Sequence, residues 1–376
     1  KFSIETWVEE VMDSDFIKMY MKSLFRGATC FRPRLGDYTN AFWPKLAYWS
    51  GLLWDPKGFP ITIYEHNRED QSGTGSDKFI SIIPQPYKTM FKLINLLKVM
   101  GIFPKELKDV EDTKRMWWFG LPYSGGAKFE RYGRIVYLPE ASKADEYHYR
   151  IYENSDCWDL NGVGTSIASY LPPAMAGHFM GLENSDRDWN AVETKCIGLG
   201  DPYCEVKIFP GQSDQVKQHL QKSPEAVSRI HTRLMDKYTS HILKGEILTD
   251  RPQLSPDIHL QIPFHNFGFS HLAGDRSRMA IRMGGAKSGQ EIAERLLSSS
   301  LEPGEVISRV FQSFETLKAG IVTRSGDTFT IEENIEPMRT WYVTELREPS
   351  CHFTTGFLSG IFRTVYGKRI REIKCL

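Results

Sequence analysis

The sequence predicts an α+β protein built from two like units, each a small antiparallel sheet packed with helices. Three observations carry this. The phrase Glu193-Thr194-Lys195-Cys196 returns near the end as Glu372-Ile373-Lys374-Cys375. Short segments with alternating apolar and polar residues lie upstream of both copies, the pattern of half-buried strands. Longer segments with apolar residues three and four apart surround them, the pattern of helices.

Taken in order, residues 4–25 read as an amphipathic helix through Trp7, Val8, Val11, Phe16, Met19 and Tyr20. Early aromatics follow (Trp43, Tyr48, Trp49, Trp54, then Trp117, Trp118 and Phe119), suited to a core or to the lining of a flat apolar ligand. Residues 67–78 are polar and glycine-rich and read as an exposed loop, and 87–100 return to helical spacing. Segments 134–137 and 147–152 alternate as strands, and 176–181 read as a helix closed by Gly181. The polar stretch 210–223 suits a linker. Ser223-Pro224-Glu225 then starts a helix with a capping serine and a proline in the first turn, running to about Leu243. The proline-rich stretch 249–263 reads as an extended connection. Gly284-Gly285-Ala286-Lys287-Ser288-Gly289 reads as a loop before a helix over 288–297, and a second helix covers 303–317. Strands over 320–323 and 328–333 are joined by Arg324-Ser325-Gly326-Asp327 as a hairpin. This divides the chain into an N-terminal half, 1–210, a linker and helix, 211–260, and a second unit, 261–376.

With 376 residues, 41% hydrophobic and 25% charged, the composition is that of a globular chain. Lysine plus arginine and aspartate plus glutamate balance at 47 each, which argues against a nucleic-acid partner. No stretch approaches the ~18 consecutive apolar residues of a membrane helix. The acidic residues Glu5, Glu9, Glu10, Asp13 and Asp15 do not fit a signal peptide, so a cytoplasmic location with reduced thiols is expected. Of the six cysteines, Cys196 and Cys204 stand eight apart, with Glu193 three residues before the first. A carboxylate and two thiolates joined by a Gly-Asp-Pro turn make most of a tetrahedral zinc site, and metal is preferred here over a disulfide.

The repeat extends upstream. His148-Tyr149-Arg150-Ile151-Tyr152-Glu153-Asn154 is similar to Thr328-Phe329-Thr330-Ile331-Glu332-Glu333-Asn334, and 176–181 to 362–367. Residues 193–204, with Gly-Asp-Pro-Tyr-Cys, and 351–375 resemble the 4-vinyl reductase-type domain, the family of the sensor domains of phenol-responsive transcription activators. The resemblance covers about 145–208 and 285–376. It implies a pocket for a small hydrophobic or aromatic molecule and a zinc site formed by an upstream cysteine plus the E-x2-C-x7-C group. Carried over, Glu193, Cys196 and Cys204 take three places, with Cys157 or His178 open as the fourth; alignment of the copies sets Thr165 opposite Cys351. The second copy supplies Cys351, Glu372 and Cys375 and is expected to be cut short at its metal motif.

No G-x-S-x-G elbow, phosphate-binding loop or H-E-x-x-H motif is present, and the glycines at 120–128 and 284–289 lack P-loop spacing. Glu65-His66-Asn67-Arg68-Glu69-Asp70 and the histidines at 259, 265 and 271 read more simply as surface or core residues than as catalytic or metal-binding ones. Tyr147, His148, Trp158, Trp341 and Tyr342 combine apolar bodies with polar tips, as a pocket for an aromatic alcohol needs. Two functions follow: a zinc-stapled protein binding such a molecule, or a stand-alone enzyme acting on an aromatic or polycyclic substrate in the same pocket. Pairing of the units predicts an intrachain pseudo-dimer or a homodimer.

Overall fold

The computed structural model describes residues 32–72, 96, 99–101, 103–120, 123, 131–183, 185–211, 214–260, 274–326, 328–336 and 351–373. The helix expected over 4–25, most of that over 87–100, and Cys30, His265, His271, Trp341, Tyr342 and Cys375 lie outside the described residues.

The alternating segments pair as a four-stranded antiparallel sheet of β2 (Arg134–Tyr137), β3 (Tyr147–Tyr152), β4 (Trp189–Lys195) and β5 (Cys204–Pro210), in the order β2-β3-β5-β4. Two smaller antiparallel pairs accompany it. One joins β1 (Tyr38–Asn40) to β6 (Asp257–His259), centred on Thr39 opposite Ile258; the other is the hairpin of β7 (Ile321–Ser325) and β8 (Thr328–Glu332). The helices are α1 (Phe42–Trp54), α2 (Gly58–Ser72), α3 (Leu171–Leu182), α4 (Asp214–Leu220), α5 (Pro224–Lys244), α6 (Asp275–Ser298), α7 (Pro303–Thr316) and α8 (His352–Tyr366). The architecture is therefore mixed α+β with small antiparallel sheets. Among the described residues no helix is long and apolar enough to cross a membrane.

One continuous core joins the halves. Trp43 of α1 is fully buried against Phe314, Phe353 and Phe357, with ring centroids 4.6, 5.2 and 5.4 Å away. Helix α5 begins as its sequence dictates: the Ser223 hydroxyl accepts the Ala226 N–H at 3.2 Å, Pro224 follows, and Gly245 closes the far end at φ 72°.

Four local readings are corrected. Residues 67–72 continue α2 rather than forming a loop, because tertiary partners hold the polar side chains: Asn67 is fully buried, and Arg68 pairs with Glu65 and with Asp188 before β4. Residues 214–220 form α4 inside the expected linker, with Asp214 in its first turn and Lys217 and His219 in its last, as the helix dipole favours. Helix α3 ends not at Gly181 but at an extended Glu183, whose carboxylate accepts the Leu107 N–H at 2.7 Å and the Trp189 indole at 2.9 Å. The 284–289 glycines lie within α6, not in a loop. A methyl group added at Gly284 would stand 1.8 Å from the Ser50 carbonyl oxygen, and one at Gly289 1.9 Å from that of Phe357. From α8, the same addition at Gly356 and Gly360 would stand 2.1 and 2.0 Å from the Arg282 and Ala286 oxygens. The glycines let α1, α6 and α8 touch backbone to backbone, and that packing overrides their weak helix propensity.

The two hairpins share local details. Gly133 and Gly320 each face an isoleucine on the neighbouring strand, Ile151 and Ile331, and Glu153 and Glu333 follow those strands in left-handed backbone at φ 49° and 53°. Each of these glutamates accepts backbone N–H groups from an Arg-Pro-x-Leu segment: Glu153 from Gln253 and Leu254, Glu333 from Arg34 and Leu35. The arginine that opens each segment is buried and donates to carbonyls beside the same hairpin. Arg251 bonds Tyr132 O at 3.1 Å and Glu153 O at 3.2 Å, and Arg32 bonds Lys318 O at 2.6 Å. The latches cross, since the N-terminal segment grips the C-terminal hairpin and the reverse.

Candidate metal centre

Three turns converge at one end of the four-stranded sheet, on the face that Tyr147 and Tyr149 share. After β3 the chain reverses through Glu153 and Asn154, whose carbonyl accepts N–H groups from Cys157 at 3.1 Å and Trp158 at 2.8 Å; this turns the Cys157 side chain into the interior. Glu193 and Cys196 come at the end of β4. Cys196 caps a single 3-10 turn, Ile197–Leu199, and its N–H bonds the Asp201 carboxylate at 2.9 Å. Gly200, at φ 102°, reverses the chain so that Cys204 opens β5. The loop 162–168 lies across this knuckle: Gly162 and Gly164 donate to Ile197 O and Gly198 O at 3.2 and 2.9 Å. Gly198 has no room for a side chain, since a methyl group there would stand 2.4 Å from Ile167 Cδ1 and from Thr165 O.

The result is a buried cluster of Cys157, Glu193, Cys196 and Cys204, with one ligand atom from each and all within 4.8 Å of one another. Cys196 Sγ stands 3.8 Å from Cys157 Sγ and 4.0 Å from Cys204 Sγ, and the thiols are free. A tetrahedron with metal–sulfur bonds of ~2.3 Å has an edge of about 3.8 Å, so these separations suit a shared metal, whereas a disulfide needs ~2.05 Å. The Glu193 carboxylate is also aimed. Its Oε2 accepts the Ile167 and Ala168 N–H groups at 3.1 and 3.0 Å, while Oε1 is buried without a hydrogen-bond partner among the described residues. Cys196 Sγ accepts N–H groups from Ile167 at 3.3 Å and Gly198 at 3.4 Å, the environment of a thiolate.

Electrostatics point the same way. Hydrogen bonds from Cys157 and Cys204, then from the Gly198 and Ile167 amides, pull the Cys196 thiol far below its usual range. Burial pushes the Cys157 thiol well up. Burial and the neighbouring Cys196 charge push the Glu193 carboxyl up, against the pull of Lys222. In a dry site one anion suppresses the next. A divalent cation removes that conflict, and soft sulfur donors with one oxygen suit zinc.

The structure thus brings Cys157 to Glu193, Cys196 and Cys204 and excludes His178. That imidazole bonds the Tyr123 hydroxyl through Nδ1 at 2.9 Å on α3, and burial lowers its pKa to about 4. In the second copy the Cys351 N–H bonds Glu372 Oε2 at 3.2 Å, and Asn334 Nδ2 lies 3.4 Å from Cys351 Sγ. Asp156 accepts the Ser169 and Tyr170 amides as Glu336 accepts those of Phe353 and Thr354. By that spacing Cys351 falls opposite Ile167 rather than Thr165, so it is not the counterpart of the upstream cysteine.

Of the described candidate ligand-contacting residues, Tyr147 and His148 face opposite sides of the sheet. Tyr147 faces the core, fully buried among Phe119, Phe179 and Trp189 at 4.5, 5.0 and 5.8 Å between ring centroids. One residue on, His148 faces the other side of the sheet beside Glu146 at 3.3 Å, as a period of two requires. Trp158 is half-buried, and its indole donates to Asp250 O. His259 is buried in β6, edge-on to Tyr38.

Sequence reading missed a Ser–His–Glu relay. Ser288 Oγ lies 2.7 Å from His231 Nε2, and His231 Nδ1 lies 3.5 Å from Glu291 Oε2. The distances fit a nucleophilic triad, but Ser288 is fully buried and also bonds Ser50 Oγ at 2.7 Å and Gly284 O at 3.0 Å. It is a polar clasp across α1, α5 and α6; only a spacing specific to helix packing would have revealed it. Comparison of the chain with protein-family models, curated proteins and solved structures gives no match.

Proposed function

We propose that this protein is a zinc-stapled binder of a small hydrophobic or aromatic molecule, built from two 4-vinyl reductase-type units in one chain as a pseudo-dimer. The observation that carries the metal is the Glu193 Oε1 atom, buried and unpartnered beside three thiols at tetrahedral spacing. Zinc held by Cys157, Glu193, Cys196 and Cys204 acts structurally: it ties the turn after β3 to the β4–β5 knuckle, at one end of the sheet face that carries the aromatic cluster. The paired Arg32 and Arg251 latches support the two-unit reading, since like segments, one from the N-terminal half and one from the connection at 211–260, complete the two hairpins.

The ligand lies against the inner face of the sheet. Support comes from the Tyr147 hydroxyl, which is buried without a partner among the described residues and within a wall of aromatic rings. A phenol or similar aromatic alcohol would satisfy that hydroxyl and stack on the rings. The test is native mass spectrometry with metal analysis, followed by titration with phenols read by intrinsic fluorescence. Zinc in the wild type, its loss in Cys196→Ser, and phenol binding weakened in Tyr147→Phe support the reading. Zinc without any aromatic affinity overturns the binding function, and absence of zinc overturns the metal centre.

A further inference from the structure

A divalent cation held by three thiolates and a carboxylate leaves two negative charges in excess inside a buried site. Such a charge is costly to bury unless hydrogen-bond donors and a counter-charge compensate it. Backbone N–H groups at 167, 168 and 198 supply part of the compensation. One side chain supplies a full charge. Lys222 is buried, and its ammonium donates to Ser166 Oγ at 2.8 Å and His219 O at 3.0 Å. Ser166 directly precedes Ile167, whose N–H serves both Glu193 and Cys196.

The charge environment of Lys222 sets it apart. Burial lowers the pKa of its ammonium, and the charges that oppose this are those of Glu193, Cys196 and Cys157, three of the four ligands. The other buried lysine near the centre, Lys45, faces Asp159 and Asp156 before Cys157, and its ammonium donates to Trp158 O at 2.8 Å. Lys45 therefore has carboxylates of its own, whereas Lys222 faces the ligands. Its backbone is fixed as well: the Lys222 N–H bonds Pro56 O at 3.3 Å in the turn between α1 and α2, and the next residue, Ser223, caps α5. The side chain enters the interior from an anchored point.

We infer that Lys222 is the counter-cation of the metal centre, setting its affinity for a divalent metal by fixed charge and tying metal occupancy to the junction of α4 and α5. The inference rests on the metal reading above. It does not make Lys222 a ligand, because its ammonium has no lone pair to give and its hydrogen bonds go to Ser166 and His219.

The test compares wild type, Lys222→Met and Lys222→Arg in the full chain. Zinc affinity is measured by competition with a chelator, and ligand geometry by the charge-transfer and d–d bands of the cobalt-substituted protein. Lys222→Met is expected to weaken zinc binding by about 10–100-fold, the range for residues that support metal ligands from outside the coordination shell, with cobalt bands unmoved. Lys222→Arg keeps the charge and is expected to recover most of the loss. Should Lys222→Met fail to fold, Ser166→Ala, which frees the ammonium while leaving its charge, is expected to weaken binding by less. Unchanged affinity in Lys222→Met overturns the inference, as does an equal loss in the Met and Arg variants, which would make the role one of packing. Wild-type protein that takes up neither zinc nor cobalt overturns the metal reading itself, a separate failure.

Discussion

Replacing Gly360 by alanine tests the helix packing with a magnitude that follows from the structure. The added methyl would stand 2.0 Å from Ala286 O and 2.7 Å from Gln290 N. Real contacts of this kind stay above 3.0 Å, so α6 and α8 must separate by about 1 Å at that level, the shortfall between the two figures. The obstacle is backbone, which cannot swing aside as a side chain would. Overpacking of this kind costs ~1–3 kcal/mol and sometimes more, and alanine's better helix propensity returns only ~0.5–1 kcal/mol. A net loss of about 2 kcal/mol is expected. Gly304 is the control: it lies in the first turn of α7 with nothing within 4 Å of an added methyl, so Gly304→Ala should be neutral or slightly stabilising. The assay is urea unfolding followed by far-UV circular dichroism. Thermal midpoints discriminate poorly, because unfolding entropy of ~2.1 cal/mol/K per residue over 376 residues leaves only about 1.3 °C per kcal/mol. If Gly360→Ala unfolds at the same urea concentration as Gly304→Ala, the backbone contact is absent and the assignment of 284–289 to a packed helix fails.

Cys196→Ser should abolish zinc retention and lower the unfolding midpoint, because metal-binding energy is part of the folding energy; metal content and urea unfolding on one preparation check this. Tyr147→Phe removes a buried hydroxyl with no partner among the described residues, so it should stabilise the ligand-free protein by about 1 kcal/mol while weakening phenol binding; a loss of stability would mean that the hydroxyl already has a partner. Arg251→Ala strips donors from Tyr132 O and Glu153 O inside the fold and should cost ~2–3 kcal/mol in urea unfolding, against less than 1 kcal/mol for an exposed arginine. Stability should fall as pH drops from about 6.5 to 4. Buried His178 has its pKa lowered to about 4, so the unfolded state takes up the proton first; the contribution is complete above the unfolded value and lost as pH falls to the folded one. His178→Gln should flatten that slope by ~1.4 kcal/mol per pH unit in unfolding measured across the range.

The sequence was most informative where local chemistry acts alone. Strands 134–137 and 147–152 and the start of α5 at Ser223-Pro224 stand where alternation and capping place them. The metal cluster was legible because Glu193, Cys196 and Cys204 sit on one short turn. The fourth ligand was not, since Cys157 reaches the site only through the pairing of β3 with β5, which sets Ile151 opposite Cys204. The glycines at 284–289 misled for a physical reason: glycine disfavours an isolated helix, and only the partners at Ser50 and Phe357, distant in sequence, reverse that preference. The pocket residues illustrate a third case. Tyr147 and His148 are neighbours in sequence and cannot share a cavity, because the strand sends them to opposite faces. The repeated Arg-Pro-x-Leu at 32–35 and 251–254 was visible in the letters, but its meaning lay in contacts to the opposite half.

What a metal would add in the first half follows from what surrounds the cluster. The loop 162–168 holds the knuckle through backbone hydrogen bonds from Gly162 and Gly164, while Val163 and Ile167 bury their side chains in the core. A tetrahedral ion would add to this a lock between Cys157 and the knuckle cysteines 196 and 204, and would hold the Glu193 carboxylate that the amides of 167 and 168 orient. The corresponding region of the second half shares a buried acid over helix-opening amides, Glu336 in place of Asp156, and adds the glycines of α6 and α8 in backbone contact. On the proposed reading, an ion adds to the fastening of the first half, whereas helix packing fastens the second. Metal removal should therefore loosen the 157–204 region while leaving the α6–α8 pair protected, and amide hydrogen exchange with and without chelator separates the two. Equal loosening of both halves would mean that the shared core, rather than the ion, sets the stability of the first.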